Sequence, residues 1–296
     1  MNPDGFGSGN PDEQLMKNAI RRIALLLTCS SLLFSIVTSS ASVQAPSVIE
    51  QIETIAAHSP CARVNWPDRG VAPKAYMRGM ALVFARAACQ ADRTDVLVVA
   101  KARATPIVQN NNTDALTWYE GQFTELGMSN ATDGVDTLRH AYTLLIGLGM
   151  RESSGKFCEG RDRSADFTTA DSAEAGLFQT SFGARRRHAT MVALYEKYKA
   201  DQSGCLLDVF NRGISCAAHN AENFGEGEGV RWQQLTKTCP AFAAEYAAVL
   251  MRVHGGRRGE FGPLRNRAAQ LQPICDAMLK QVQDLVHANP QMCSAL

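Results

Sequence analysis

Eight cysteines, Cys61, Cys89, Cys158, Cys205, Cys216, Cys239, Cys275 and Cys293, lie downstream of an N-terminal segment with the pattern of an export signal. Together these two features constrain the fold more than any other. The N-terminal segment passes from a polar Gly/Asn/Pro/Asp stretch into Met16-Lys17-Asn18-Ala19-Ile20-Arg21-Arg22. An apolar run from Ile23 to Val37 and the small residues Ser39-Ser40-Ala41 follow. A basic region, a short apolar region and a small-residue end are the parts of a secretory signal peptide, here residues 1–41, with Met16 as an alternative start. The expected location is secreted or periplasmic. The apolar run is too short for a spanning helix and carries serines and threonines, so no stable membrane anchor is expected. Cys29 lies inside that run, with too little hydrophobic sequence before it for lipidation, and cleavage removes it.

An even cysteine count after export reads as up to four disulfides. The spacings contain neither Cys-x-x-Cys nor a Cys/His zinc pattern, so neither a metal nor another cofactor is expected. Which cysteines pair stays open. The remaining length suits one large domain, or one domain with a smaller helical lobe. The near balance of 30 Lys and Arg against 29 Asp and Glu argues against a nucleic-acid partner, which needs a basic excess.

Apolar spacing predicts a mainly α chain. Helices are expected over Val48–Ala57, Lys74–Gln90 and Asp95–Ala104, although Val96-Leu97-Val98-Val99 also fits a buried strand. Asp114 or Thr113 caps a helix through Leu116, Tyr119, Phe123 and Leu126 that stops at Gly127. A helix over Asp136–Met150 follows, with Leu138, Tyr142, Leu145, Ile146 and Gly149 toward its buried side. Residues 156–173 read as an irregular polar loop that a disulfide through Cys158 would hold down. The Arg185-Arg186-Arg187-His188 run reads either as a basic patch facing substrate carboxylates or as a solvated surface. Helices over Met191–Lys199 and Pro240–Val253 are expected, and residues 223–229 read as a glycine-rich acidic loop. One long amphipathic helix is expected over Leu264–Val286.

The chemistry concentrates between Gly147 and Ser181. The apolar run from Leu138 to Leu148 ends in Arg151-Glu152-Ser153-Ser154-Gly155, which delivers a carboxyl group where regular structure gives out. Near a helix C-terminus a carboxylate feels the negative end of the dipole, and apolar surroundings penalise its charge further. A carboxyl group raised in this way suits a general acid that protonates the leaving oxygen of a glycoside. Downstream, Gly176-Leu177-Phe178-Gln179 follows Ala173-Glu174-Ala175. Its small residues let backbone approach a ligand closely, and its amide offers a neutral donor and acceptor.

These two motifs together resemble those of the lysozyme-like superfamily, specifically the lytic transglycosylases and goose-type lysozymes. In that family a Glu-Ser pair at a helix end precedes a Gly-Leu-Met-Gln segment, and Phe178 here stands in place of the Met. A third segment, Ala218-His219-Asn220-Ala221-Glu222, is similar to the Ala-Tyr-Asn-Ala-Gly motif, with His219 in place of Tyr and Glu222 in place of Gly. The resemblance spans roughly residues 136–223. It implies a lysozyme-like helical domain over residues 131–296, continuous with a helical segment over 42–130, and a substrate of peptidoglycan. Glu152 would be the catalytic acid and base. Ser153, Gly176, Leu177, Phe178, Gln179, His219 and Asn220 would contact substrate.

Lytic transglycosylase chemistry needs one carboxylate, because the muramoyl 6-hydroxyl of the substrate is the nucleophile. A hydrolase needs a second acid or a polar group to position water. Glu174, Asp171 and Asp162 are the candidates for that acid. Hydrolysis of peptidoglycan or chitin is the alternative reading, and a catalytically silent glycan-binding protein is another.

Overall fold

A computed structural model describes residues 46–101, 114–161, 169–218, 222–255 and 270–296. The expected signal peptide, Asp162, His219, Asn220 and residues 264–269 of the expected long helix lie outside the described residues. The described chain is mainly helical, with two very short hairpins. Helices α1 (Val48–His58), α2 (Lys74–Cys89) and α3 (Thr94–Ala100) come first, with the hairpin β1 (Asn65–Trp66) and β2 (Gly70–Val71) between α1 and α2. Short helices α4 (Ala115–Trp118) and α5 (Glu120–Glu125) lead into α6 (Val135–Ser153). The hairpin β3 (Glu174–Ala175) and β4 (Thr180–Ser181) precedes α7 (Ala189–Ala200), α8 (Leu207–Phe210), α9 (Glu228–Thr238), α10 (Pro240–His254) and α11 (Pro273–Ala288).

Local chemistry explains most of these boundaries. Ser47 and Glu50 form a reciprocal capping box at the start of α1, with the Glu50 backbone N–H donating to Ser47 Oγ at 3.2 Å. Asp114 caps α4 by accepting from the Leu116 N–H at 2.9 Å, as expected from the sequence. Proline occupies the first turn of both α10 and α11, where its missing N–H costs nothing. That placement corrects the long C-terminal helix: Gln270–Gln272 are not helical, and α11 begins at Pro273. A proline inside the expected helix would have clashed with the preceding turn. The single helix expected after Asp114 is interrupted at Tyr119, and α9 occupies a stretch with no expected element.

Residues 46–296 form one compact unit around α6. From Thr137 to Met150 every residue of α6 is buried, including Arg139, His140 and Thr143, so this helix has no solvent face to pattern. It packs against α2, α3, α10 and α11. Its buried Arg139 donates to Asp276 of α11 at 2.8 Å and to Gln283 at 2.6 Å, so the charge is matched inside the core.

A second buried ionic cluster joins α2, α3, α7 and α10. Glu245 accepts from Arg86 and Arg93 at 2.7 Å each and from the Tyr198 hydroxyl at 2.8 Å. Burial opposes ionisation of Glu245, but the two guanidinium charges and their hydrogen bonds outweigh it and hold its pKa below the ordinary glutamate range.

Four disulfides close the fold: Cys61–Cys275, Cys89–Cys293, Cys158–Cys216 and Cys205–Cys239. The first two tie α11 and the C-terminal segment to the N-terminal helices across 214 and 204 positions. The third holds the loop after Glu152, as anticipated. This cross-linking fits a non-reducing environment. Among the described residues no helix is long and apolar enough to cross a membrane.

Candidate functional site

Glu152 is the penultimate residue of α6 and half-buried, with its Oε1 sequestered from solvent. The helix ends because Ser154 turns left-handed at φ 54° and Gly155 follows at φ 73°. The Ser154 and Gly155 N–H groups then cap the Met150 and Gly149 carbonyls at 3.0 and 3.1 Å.

Tyr76 of α2 props this last turn. Its hydroxyl donates to the Ile146 carbonyl at 2.8 Å, and its ring lies where a side chain on either nearby glycine would collide. A Cβ at Gly149 would stand 2.3 Å from the Tyr76 hydroxyl, and one at Gly155 would stand 2.9 Å from its ring. Glycine is therefore required for the close approach of the two helices. Nothing local in the sequence sets Tyr76 apart, because its partner lies 70 positions away in the chain.

The two sequence motifs meet through Ser153. Its single hydroxyl proton is shared between Gly149 O at 3.0 Å and the closer Leu177 O at 2.8 Å, and the second contact crosses 24 positions of chain. The β3–β4 hairpin pairs Glu174 with Ser181 and Ala175 with Thr180, so Gly176 to Gln179 form its loop. Gly176 adopts φ 79°, and a Cβ there would lie 2.7 Å from Thr236 Oγ1 on α9. The Gly176 N–H donates to Glu159 O at 2.9 Å, which holds the loop after Glu152 against this hairpin. Tyr246 of α10 secures the far end by donating to Ser181 O at 3.0 Å.

Several expected substrate contacts have a different role in the structure. Leu177 and Phe178 are wholly buried, and Phe178 packs against Gly149 of α6, so neither side chain presents surface to a ligand. Gly176 and Ser153 are buried as well. Gln179 is 7% exposed, and its Nε2 donates to Gly160 O and Gly176 O at 3.0 Å each. Leu177 and Phe178 brace the last turns of α6, through Ser153 and Gly149 respectively. Gln179 also adopts φ 43°. Left-handed geometry at a non-glycine residue costs of order 1–3 kcal/mol and clusters at functional sites, and two of the described cases are Ser154, just past the end of α6, and Gln179, in the β3–β4 loop.

Among the candidate second acids, Glu174 is half-buried on β3, while Asp171 faces Arg186 at 3.5 Å across an exposed pair. Asp162, His219 and Asn220 lie outside the described residues. The basic run is divided among separate tasks. Arg185 lies 3.4 Å over the Phe182 ring and donates to Phe182 O, while the His188 ring caps α7 by accepting from the Thr190 N–H at 3.2 Å. Beyond the loop, Arg161 pairs with Glu222 at 3.2 Å and lies 5.0 Å over Phe224, which joins the segment after Glu152 to the entry of α9.

This arrangement places a half-buried carboxylate at the end of a core helix, with the residues on its C-terminal side hydrogen-bonded to the β3–β4 hairpin. It can present and hold an acid without demanding that its supports touch the ligand. Compared with known proteins, the chain matches no family model, no curated protein and no solved structure.

Proposed function

We propose that the protein is an exported enzyme that cleaves β-1,4 bonds of peptidoglycan, with a lysozyme-like catalytic region and Glu152 as general acid and base. The observation that carries this reading is the Ser153–Leu177 hydrogen bond, which joins the Glu-Ser helix end to the Gly-Leu-Phe-Gln loop. These are the two motifs on which the resemblance to lytic transglycosylases and goose-type lysozymes rests. In the proposed reaction Glu152 protonates the glycosidic oxygen as an oxocarbenium-like centre develops, a contribution of roughly 10²–10⁴-fold. The same carboxylate then takes a proton from the muramoyl 6-hydroxyl, and an anhydro ring closes without water. A single carboxylate suffices for both steps.

Digestion of purified cell walls in ¹⁸O-labelled water, followed by mass spectrometry, tests the reading. Anhydromuramoyl products without label are expected. Label in new reducing ends would replace the transglycosylase with a hydrolase, and the absence of any glycan fragment would remove the enzymatic proposal.

A further inference from the structure

Gly147, Met150 and Arg151 of α6 form one wall of a cavity of about 140 Å³, and Gln270 borders it. The opposite wall is Trp66, Pro67 and Arg69, from the tight turn between β1 and β2. This turn sets Arg69 in place. Pro67 holds its second position, Asp68 takes φ 59° at its third, and the Arg69 N–H donates to Trp66 O at 3.0 Å. Gly147 makes room for the Gln270 backbone, since a Cβ there would lie 2.2 Å from the Gln270 carbonyl oxygen.

The cavity carries positive charge that nothing around it matches. Arg69 and Arg151 are exposed, and neither makes a hydrogen bond or ion pair among the described residues. Among the described residues no acidic side chain lines the cavity, and Asp68 at the tip of the turn pairs with neither arginine. Trp66 is 3% exposed, and its indole Nε1 has no hydrogen-bond partner among the described residues. An indole N–H can only donate, so this wall adds donor character to the two charges.

Guanidinium groups keep their charge at every accessible pH and bind oxyanions through paired N–H bonds. The number of charges then decides among anions. A carboxylate or a phosphodiester brings a single negative charge and leaves one guanidinium unmatched. A phosphomonoester brings about −1.5 to −2 near neutrality, with three strong acceptor oxygens. Because both arginines are exposed, the rest of such an ester can extend into solvent.

We infer that this cavity is a binding site for a phosphomonoester, with Arg69 and Arg151 holding the phosphoryl dianion. The inference uses no group assigned to glycan cleavage and stands apart from that activity.

The test is a titration of the ¹⁵N-labelled, disulfide-bonded protein with glucose 6-phosphate, gluconate, inorganic phosphate and sulfate. The Arg69 and Arg151 resonances are assigned by their loss in the single Gln variants. At about pH 7.5 glucose 6-phosphate should move both resonances and bind at least about tenfold more tightly than gluconate, a monoanion of similar size. Its affinity should fall at least about threefold by about pH 5, as the phosphate takes up its second proton with a pKa of about 6. Sulfate keeps both charges through this range, so its affinity should show no such fall. The Arg69→Gln/Arg151→Gln double variant should lose binding and keep the wild-type melting temperature, because both side chains are exposed. Any of four results overturns the inference: no response to glucose 6-phosphate, gluconate binding equally well, sulfate affinity falling in parallel, or binding that survives in the double variant. A response to inorganic phosphate without one to glucose 6-phosphate also overturns it, since the cavity would then hold a free ion only.

Discussion

The Ser153 hydroxyl donates to the carbonyl oxygen of Leu177 at 2.8 Å, inside a region where neither residue reaches solvent. This bond ties the helix that carries Glu152 to the β3–β4 hairpin. Replacing Ser153 with Ala leaves the Leu177 carbonyl without this donor and should cost about 1–3 kcal/mol, a fall in melting temperature of roughly 2–10 °C. Wall-cleaving activity should fall further than stability explains, because the acid loses its backing. Thermal melts and activity of Ser153→Ala beside Ser153→Thr, which keeps a hydroxyl, check this. Unchanged activity in Ser153→Ala would separate the hairpin from catalysis.

Gly176 sits at φ 79° with no room for a Cβ beside Thr236. Gly176→Ala combines backbone strain with overpacking and should destabilise by roughly 2–4 kcal/mol. The Gly176→Ala/Thr236→Ser double variant removes the methyl group that a Cβ would meet at 2.9 Å and should recover part of the loss. Equal melting temperatures for all three proteins would contradict the close contact.

Much of the fold was legible in the sequence because local signals agreed with the tertiary outcome. Asp114 capped a helix and Pro240 opened one. The spacing from Leu138 to Ile146 gave a helix that proved to be the centre of the core. α9 was not legible because two of its buried residues are Gln233 and Thr236, which hide the apolar period. Gln233 is buried to hydrogen-bond Ala170 O and Phe224 O at 3.1 Å. The C-terminal helix was drawn through Pro273 because Leu264, Ala268 and Leu271 continued its spacing, whereas the proline marks its first turn. The hairpins are two residues per strand, too short for an alternating pattern to show. At the site, the order of the motifs was readable but not the direction of their side chains. Glycine, leucine, phenylalanine and glutamine suggested a ligand surface, and packing against α6 and α9 turned them inward.

The buried cluster around Glu245 sets an acid limit on stability. Its folded-state pKa lies below the unfolded value, so the unfolded chain binds more protons in the window between them. The stabilisation is present in full above the unfolded glutamate value of about 4.3 and is lost as pH falls through the folded value. Glu245→Gln leaves Arg86 and Arg93 buried without their anion and should cost about 3–5 kcal/mol near neutrality. Melting temperatures from pH 7 to pH 3 should converge for the two proteins as the pH falls. A constant gap would show that Glu245 does not titrate with folding.

Reduction should act strongly, because two of the disulfides close loops of more than 200 positions. Loss of one such bridge typically costs about 2–5 kcal/mol. Melting with and without reductant, beside a thiol count in denaturant, checks the pairing. We expect no free thiol from the eight bridged cysteines and a large fall in melting temperature on reduction. A count near eight would refute the disulfide assignment.

The central claim is that Glu152 is the acid that cleaves glycan. Glu152→Gln keeps the size and shape of the side chain and removes its transferable proton. The rate of turbidity loss of purified cell walls, measured for the wild type and for Glu152→Gln, tests the claim most directly. We expect a loss of at least about 100-fold with an unchanged melting temperature. A Glu152→Gln protein that clears walls at the wild-type rate would contradict it.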